Sequence, residues 1–148
     1  MGIYAVTGAA SGIGKAVAEQ LIEQGEAGDQ VVIHFSGHGG RASSIYPADI
    51  KPGGIDEGFV PTDLGTGEGR YIRDLQLAYW LKQMADKGLL VTAILDCCHS
   101  GGMTRGDAAP RGIEGVDTTV YAGDSAETNP ALLNTWQELT NSNSAPNL

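Results

Sequence analysis

The chain has 148 residues, 41% of them hydrophobic, with 22 glycines and a formal charge of -9. That length holds one domain with a sizeable core, and the acidic balance disfavours nucleic acid or an anionic membrane as partner, since neither gains Coulomb attraction or counterion release. No apolar stretch approaches the ~20 residues that span a bilayer, and the N-terminus lacks the basic start and cleavage site of a signal peptide, so no membrane contact and a cytoplasmic location are expected.

In chain order, GIYAVTG is a short apolar run that stops at glycine. Ile13, Ala16, Val17, Leu21 and Ile22 then recur at helical spacing as far as Gly25, a natural helix terminator. QVVIHFS reads as a second, buried strand ending in GHGG. From Gly37 to about Tyr71 no periodicity is sustained, which predicts a long loop of the kind that carries sites. Leu75, Leu77, Ala78, Trp80, Leu81 and Ala85 predict a helix from about Asp74 to Lys87, closed by Gly88, with Tyr79 and Trp80 packing it on a sheet. LLVTAIL follows as the clearest buried strand, then a polar loop, an edge strand TTVYAG, a short helix PALLNTWQEL and a fraying NSNSAPNL. Strands alternating with helices predict an α/β fold, a three-layer sandwich around a mainly parallel sheet.

Ligands of open α/β sheets bind beyond the carboxyl ends of the strands, where TGAASGIG, SGHGG and DCCHSGG all fall. The only two cysteines, Cys97 and Cys98, are adjacent. A structural zinc site wants pairs separated by two to four residues, and a bridge between neighbours strains its own peptide. What remains is a packed thiol or a nucleophile. Cys98 and His38 at neighbouring strand ends would share one cleft, where an imidazole can take the thiol proton. Gly37 and the Cys98 amide are candidate oxyanion donors. Asp96, on the same strand face as Cys98, could hold a basic side chain. Cys97 reads as a packed thiol, His99 as a cleft or surface residue, and His34 as a structural histidine.

HFSGHGG and LDCCHSGG resemble the paired histidine and cysteine motifs of the metacaspases, relatives of the caspases. The resemblance runs from about Gly28 to Asp117 and includes IDEGFVPTD and YIRDLQLAYWL. It implies a caspase-like fold and a cysteine endopeptidase in which His38 is the catalytic histidine and Cys98 the nucleophile. It also implies that Asp96 gives preference for peptide or protein substrates with Arg or Lys at the cleaved bond. Calcium is a further implication, with Asp56, Glu57 and Asp63 as candidate ligands because hard cations gather several oxygens. The acid that often follows the nucleophile is not matched cleanly, Arg105 standing near that place.

The first 25 residues resemble instead the opening of a short-chain dehydrogenase, whose TGxxxGIG turn is matched by Gly8, Gly12 and Gly14. Glycines there allow close approach of a pyrophosphate to a helix N-terminus, and an inherited tight turn and a working cofactor site both fit them. The second strand does not end in a ribose-reading acid, and no tyrosine is followed four residues later by lysine, which speaks against NAD(P) and oxidoreductase chemistry. One α/β domain is therefore expected, built as a chimera: a dehydrogenase-like, Rossmann-like β-α unit over 1–25, a metacaspase-like catalytic region over 26–117, and an edge strand, short helix and tail over 118–148. Little chain remains for the small-subunit portion of a caspase-like fold, so an incomplete cleft and self-association through an exposed sheet edge are also expected.

Overall fold

A computed structural model describes residues 2–6, 12–67, 69–97, 115–127 and 130–143. The fold is α/β, with two three-stranded sheets. β1 (Ile3–Val6), β2 (Gln30–Ser36) and β6 (Leu90–Asp96) form a parallel sheet in the order β1-β2-β6. β3 (His38–Ser43), β4 (Ile55–Val60) and the two-residue β5 (Ile72–Arg73) form a small antiparallel one. α1 (Gly12–Gln24) and α2 (Asp74–Asp86) are the crossover helices, and α3 (Pro130–Asn143) packs on α2.

Helices and parallel strands follow the sequence pattern closely. Leu21 of α1 and Trp80 and Met84 of α2 bury against Val31 and Ile33 of β2, with Leu89 completing the cluster. Burying side chains of this size contributes about 1.5–3 kcal/mol each. α2 ends where glycine allows it: Gly88 has φ 84°, and its amide and that of Leu89 donate to the carbonyls of Ala85 and Met84. Residue Asp29, 5% exposed, ties down the entry to the sheet by accepting from the amides of Gly2 and Glu26 at 2.5 and 3.0 Å. Those two donors hold its carboxyl below the usual range.

Four expectations change. The stretch after Gly37 is not simply a loop, because β3 and β4 form a hairpin in it, in register from His38↔Val60 to Ser43↔Ile55. Its strands are hard to read because glycine replaces side chains at close approaches: a Cβ on Gly40 would lie 2.8 Å from the Tyr71 ring, and one on Gly58 2.6 Å from the Ile72 carbonyl oxygen.

LLVTAIL is a strand, yet most of it is exposed, with Leu90 at 59% and Ile94 at 50%. Among the described residues β6 has a neighbouring strand only on its β2 side. Both crossovers step in the same direction along the sheet, so right-handed connections put α1 and α2 on one face, that of Val31 and Ile33.

TTVYAG is not an edge strand of the parallel sheet. Only Asp117 pairs, bridging to Ala42 of β3, and a 3₁₀ turn begins at Ala122. Asp117 draws the chain to the hairpin: its amide donates to the Arg41 carbonyl, and its carboxylate accepts from the hydroxyls of Tyr121 at 2.6 Å and Tyr71 at 3.2 Å. Finally, the helix from Pro130 extends through Asn143, so the first residues of NSNSAPNL are helical.

Candidate active site

The ends of β2 and β6 come together in register. Ser36 pairs with Asp96, the last residue of β6, and the Ser36 hydroxyl donates to the exposed Asp96 carboxylate at 3.3 Å. Beyond this rung the chain leads on one side through Gly37 to His38, which opens β3 as an exposed residue opposite Val60, and on the other through Cys97 toward Cys98. His38 has interaction partners of its own. Cys98 lies outside the described residues, as do His99 and Gly8.

One donor is already in use. The Gly37 amide, expected in an oxyanion hole, donates to the main-chain carbonyl of Asp96 at 3.3 Å, continuing the β2–β6 ladder by one rung. This corrects its assignment, since an N–H committed to a carbonyl inside a sheet is not available to a substrate oxygen. Cys97 is half-buried and faces a cavity of about 150 Å³ between the hairpin, α2 and β6.

The three acids proposed for calcium do not converge. Asp56 is 1% exposed and lies 2.8 Å from a guanidinium nitrogen of Arg73, itself 1% exposed, while the Ser44 hydroxyl donates to its other oxygen at 2.9 Å. Burial pushes the Asp56 carboxyl above its usual range, against the pull of Ser44 and Arg73. Glu57, next along β4, points to the opposite side and lines the cavity. Asp63 belongs to the turn after β4, where its carbonyl accepts from the amide and hydroxyl of Thr66. No group of three or more His, Cys, Asp or Glu is placed to hold a metal among the described residues. Asp56, Glu57 and Asp63 therefore do not fit a calcium centre.

Sequence reading missed what Asp56 does. Arg73 reaches Asp56 with one nitrogen and Asp124 with the other, at 2.8 and 3.2 Å, and also donates to the Ser43 carbonyl at 3.2 Å. One side chain thereby ties β3, β4 and the turn at Ala122–Glu127 to the start of α2. The signal was an arginine in YIRDLQL, between an apolar pair and a helix start. Phe35 at the end of β2 stacks on Phe59 of β4 with ring centroids 4.1 Å apart, so both sheets meet directly beside the Ser36–Asp96 rung.

Gly12 and Gly14 lie in the first turn of α1, directly after the undescribed stretch that follows β1.

Comparison with known proteins decides the lineage. The metacaspase, peptidase C14 domain matches residues 10–106, more than half of the chain. The chain belongs to the metacaspase family. Metacaspase-8 of Arabidopsis thaliana is 35% identical over 85 residues, which cover 57% of this chain and 21% of that protein. Metacaspase-6 of the same plant is 34% identical over 110 residues, 74% of this chain and 27% of that one. Metacaspase-1 of Pyricularia oryzae is 33% identical over 81 residues, 55% and 19% respectively. The chain thus spans about a fifth to a quarter of the length of these metacaspases. The matched region starts at residue 10, inside the stretch that resembles a dehydrogenase opening, and contains His38, Asp96 and Cys98. No described helix is long and apolar enough to cross a membrane.

Proposed function

We infer that this metacaspase chain carries the dyad of a cysteine endopeptidase that cleaves peptide or protein substrates after Arg or Lys. The observation that supports this best is the in-register Ser36–Asp96 rung, because it leads the chain to His38 and to Cys98 from adjoining strand ends. His38 takes the Cys98 thiol proton, and the thiolate sulfur attacks the scissile carbonyl carbon. Collapse of the tetrahedral intermediate breaks the C–N bond, His38 gives its proton to the leaving amine, and a thioester remains. Water, deprotonated by His38, then releases the carboxylate product and restores the thiol. With Gly37 committed to the sheet, the Cys98 amide is the oxyanion donor in this reading.

Asp96 supplies the anchor for a basic substrate side chain. It is exposed, and the Ser36 hydroxyl orients its carboxylate from one side, leaving lone pairs for a guanidinium or ammonium. The dehydrogenase-like opening over 1–25 is then a transplanted β-α unit serving the sheet edge, and the side of β6 that has no strand neighbour among the described residues is where a second copy would pair.

Purified protein is assayed with fluorogenic peptides ending in Arg, Lys or Asp, with calcium and with chelator, beside Cys98→Ala and His38→Ala. The expected result is cleavage after Arg and Lys that is lost in both variants, and the calcium arm reports metal dependence. Folded protein that cleaves nothing in any arm overturns the peptidase reading. Asp96→Asn is expected to cut kcat/KM for Arg substrates by about 30-fold or more, as for a lost charged anchor, with cleavage after Asp unchanged.

A further inference from the structure

The cavity between the hairpin, α2 and the end of β6 has chiefly apolar walls. Phe59 and Ile72 from the antiparallel sheet, Leu77 from α2 and Leu95 from β6 supply them. Leu95 is 46% exposed, so small solutes reach it. Three charged side chains line it, and two are matched. Asp74 pairs with Lys51 and also accepts from the Leu75 amide, and Glu57 has partners of its own. Arg41 is the third. Its Nε is buried without a hydrogen-bond partner, and among the described residues its guanidinium makes no ion pair. Arg41 is half-buried and stands directly across the hairpin from Glu57, so what this cavity lacks is an acceptor for the buried Nε–H, and a buried donor without an acceptor is costly.

We propose that this cavity is a binding site for a monocarboxylate with a compact apolar body, its carboxylate on Arg41 and its body among Phe59, Ile72, Leu77 and Leu95. The planar fork of arginine matches a carboxylate in two parallel hydrogen bonds. One guanidinium neutralises one negative charge, whereas a phosphate dianion would carry a second, uncompensated charge into an apolar space. A cavity of about 150 Å³ lined by Leu, Ile and Phe is large enough for a six-membered aromatic ring, so benzoate is the probe. Cys97 lines the same cavity and serves as an internal reporter. The site does not depend on the peptidase reading, and its test needs no turnover.

In full-length Cys98→Ser protein, Cys97 is the one remaining thiol, and its alkylation rate by N-ethylmaleimide is followed by mass spectrometry. Benzoate is expected to slow alkylation, by about threefold at twice its Kd through mass action. Benzyl alcohol and benzylamine are expected to need at least about tenfold higher concentration for the same protection, a factor worth about 1.4 kcal/mol. Arg41→Gln brings benzoate down to the level of the alcohol, and Arg41→Lys keeps part of the difference. Equal protection by benzoate and benzyl alcohol, or none by either, overturns the proposal. That comparison is made with Arg41 intact, so it decides the matter even where the Gln variant does not fold.

Discussion

β6 and the corner where β4 meets β5 invert the usual placement of residue types. Leu90, Ile94 and Leu95 of β6 are 59%, 50% and 46% exposed, whereas Arg73 and Asp56 at the corner are each 1% exposed. Hydrophobicity did not decide either outcome; available partners did. Arg73 has two carboxylates and a main-chain carbonyl, so its charge is compensated inside. β6 has β2 on one side, helices on one face, and no described strand on its outer side. The contrast teaches that the antiparallel corner is a finished structural unit, whereas the parallel sheet presents a surface on which further chain would pack.

The contrast is broken most sharply at Arg73. Arg73→Leu leaves the buried Asp124 without its guanidinium and Asp56 with only the Ser44 hydroxyl and the Lys51 ammonium 4.0 Å away, and urea unfolding is expected to show a loss of about 3–5 kcal/mol. Adding Asp56→Asn and Asp124→Asn to the same chain is expected to recover much of it. A loss below about 1 kcal/mol for Arg73→Leu alone would mean that the corner does not rest on this cluster.

Gly58→Ala comes next. Its Cβ would lie 2.6 Å from the Ile72 carbonyl oxygen, so β4 and β5 must part, at an expected cost of about 1–3 kcal/mol in the same measurement.

Asp117 offers a pH test. Hydrogen bonds from the Tyr121 hydroxyl first, and from Thr119 and Tyr71, hold its pKa down to about 2. A depressed native pKa means that its contribution is present above the unfolded value, about 3.9, and is lost as pH falls through about 2. Asp117→Asn is expected to flatten the stability curve between about pH 4 and pH 2 by about 1 kcal/mol, a figure discounted for the solvent that reaches this half-buried carboxylate. An unchanged slope would remove Asp117 from the corner's electrostatics.

The smallest effect is expected on β6. Ile94→Thr keeps a β-branched residue on an exposed face and is expected to change stability by no more than about 0.5 kcal/mol. A loss above about 2 kcal/mol would show that this face is covered in solution, and light scattering on the same samples tells whether a second copy covers it.

Much of the frame was legible because it obeys simple periods. Ile13 to Ile22 and Leu75 to Ala85 mark the two crossover helices within a residue or two, and three short apolar runs mark the three parallel strands. Their burial was not legible, since LLVTAIL reads the same whether or not a neighbour flanks it. The hairpin escaped because His38 to Ser43 contains Gly39 and Gly40 and β4 contains Gly58, which erase alternation while permitting close packing. The two motifs lie at the ends of β2 and β6, where Ser36 and Asp96 pair in register. The acids misled: Asp56 and Glu57 are neighbours in sequence, but a strand sends successive side chains to opposite faces, and only one of the two meets Arg73.

The parallel pairing of β2 with β6 has a further consequence during synthesis. Ser36 and Asp96 are 60 residues apart, and the hairpin and α2 are made in between. At ribosomal speeds of about 5–20 residues per second, β2 waits roughly 3–12 s with one edge unsatisfied. In that interval QVVIHFS is a short, uncharged, β-branched segment at risk of pairing with a neighbouring nascent chain. The hairpin is made before β6, and its Phe59 stacks on Phe35 in the finished fold, which is the contact available to shield the end of β2 before its partner strand is made.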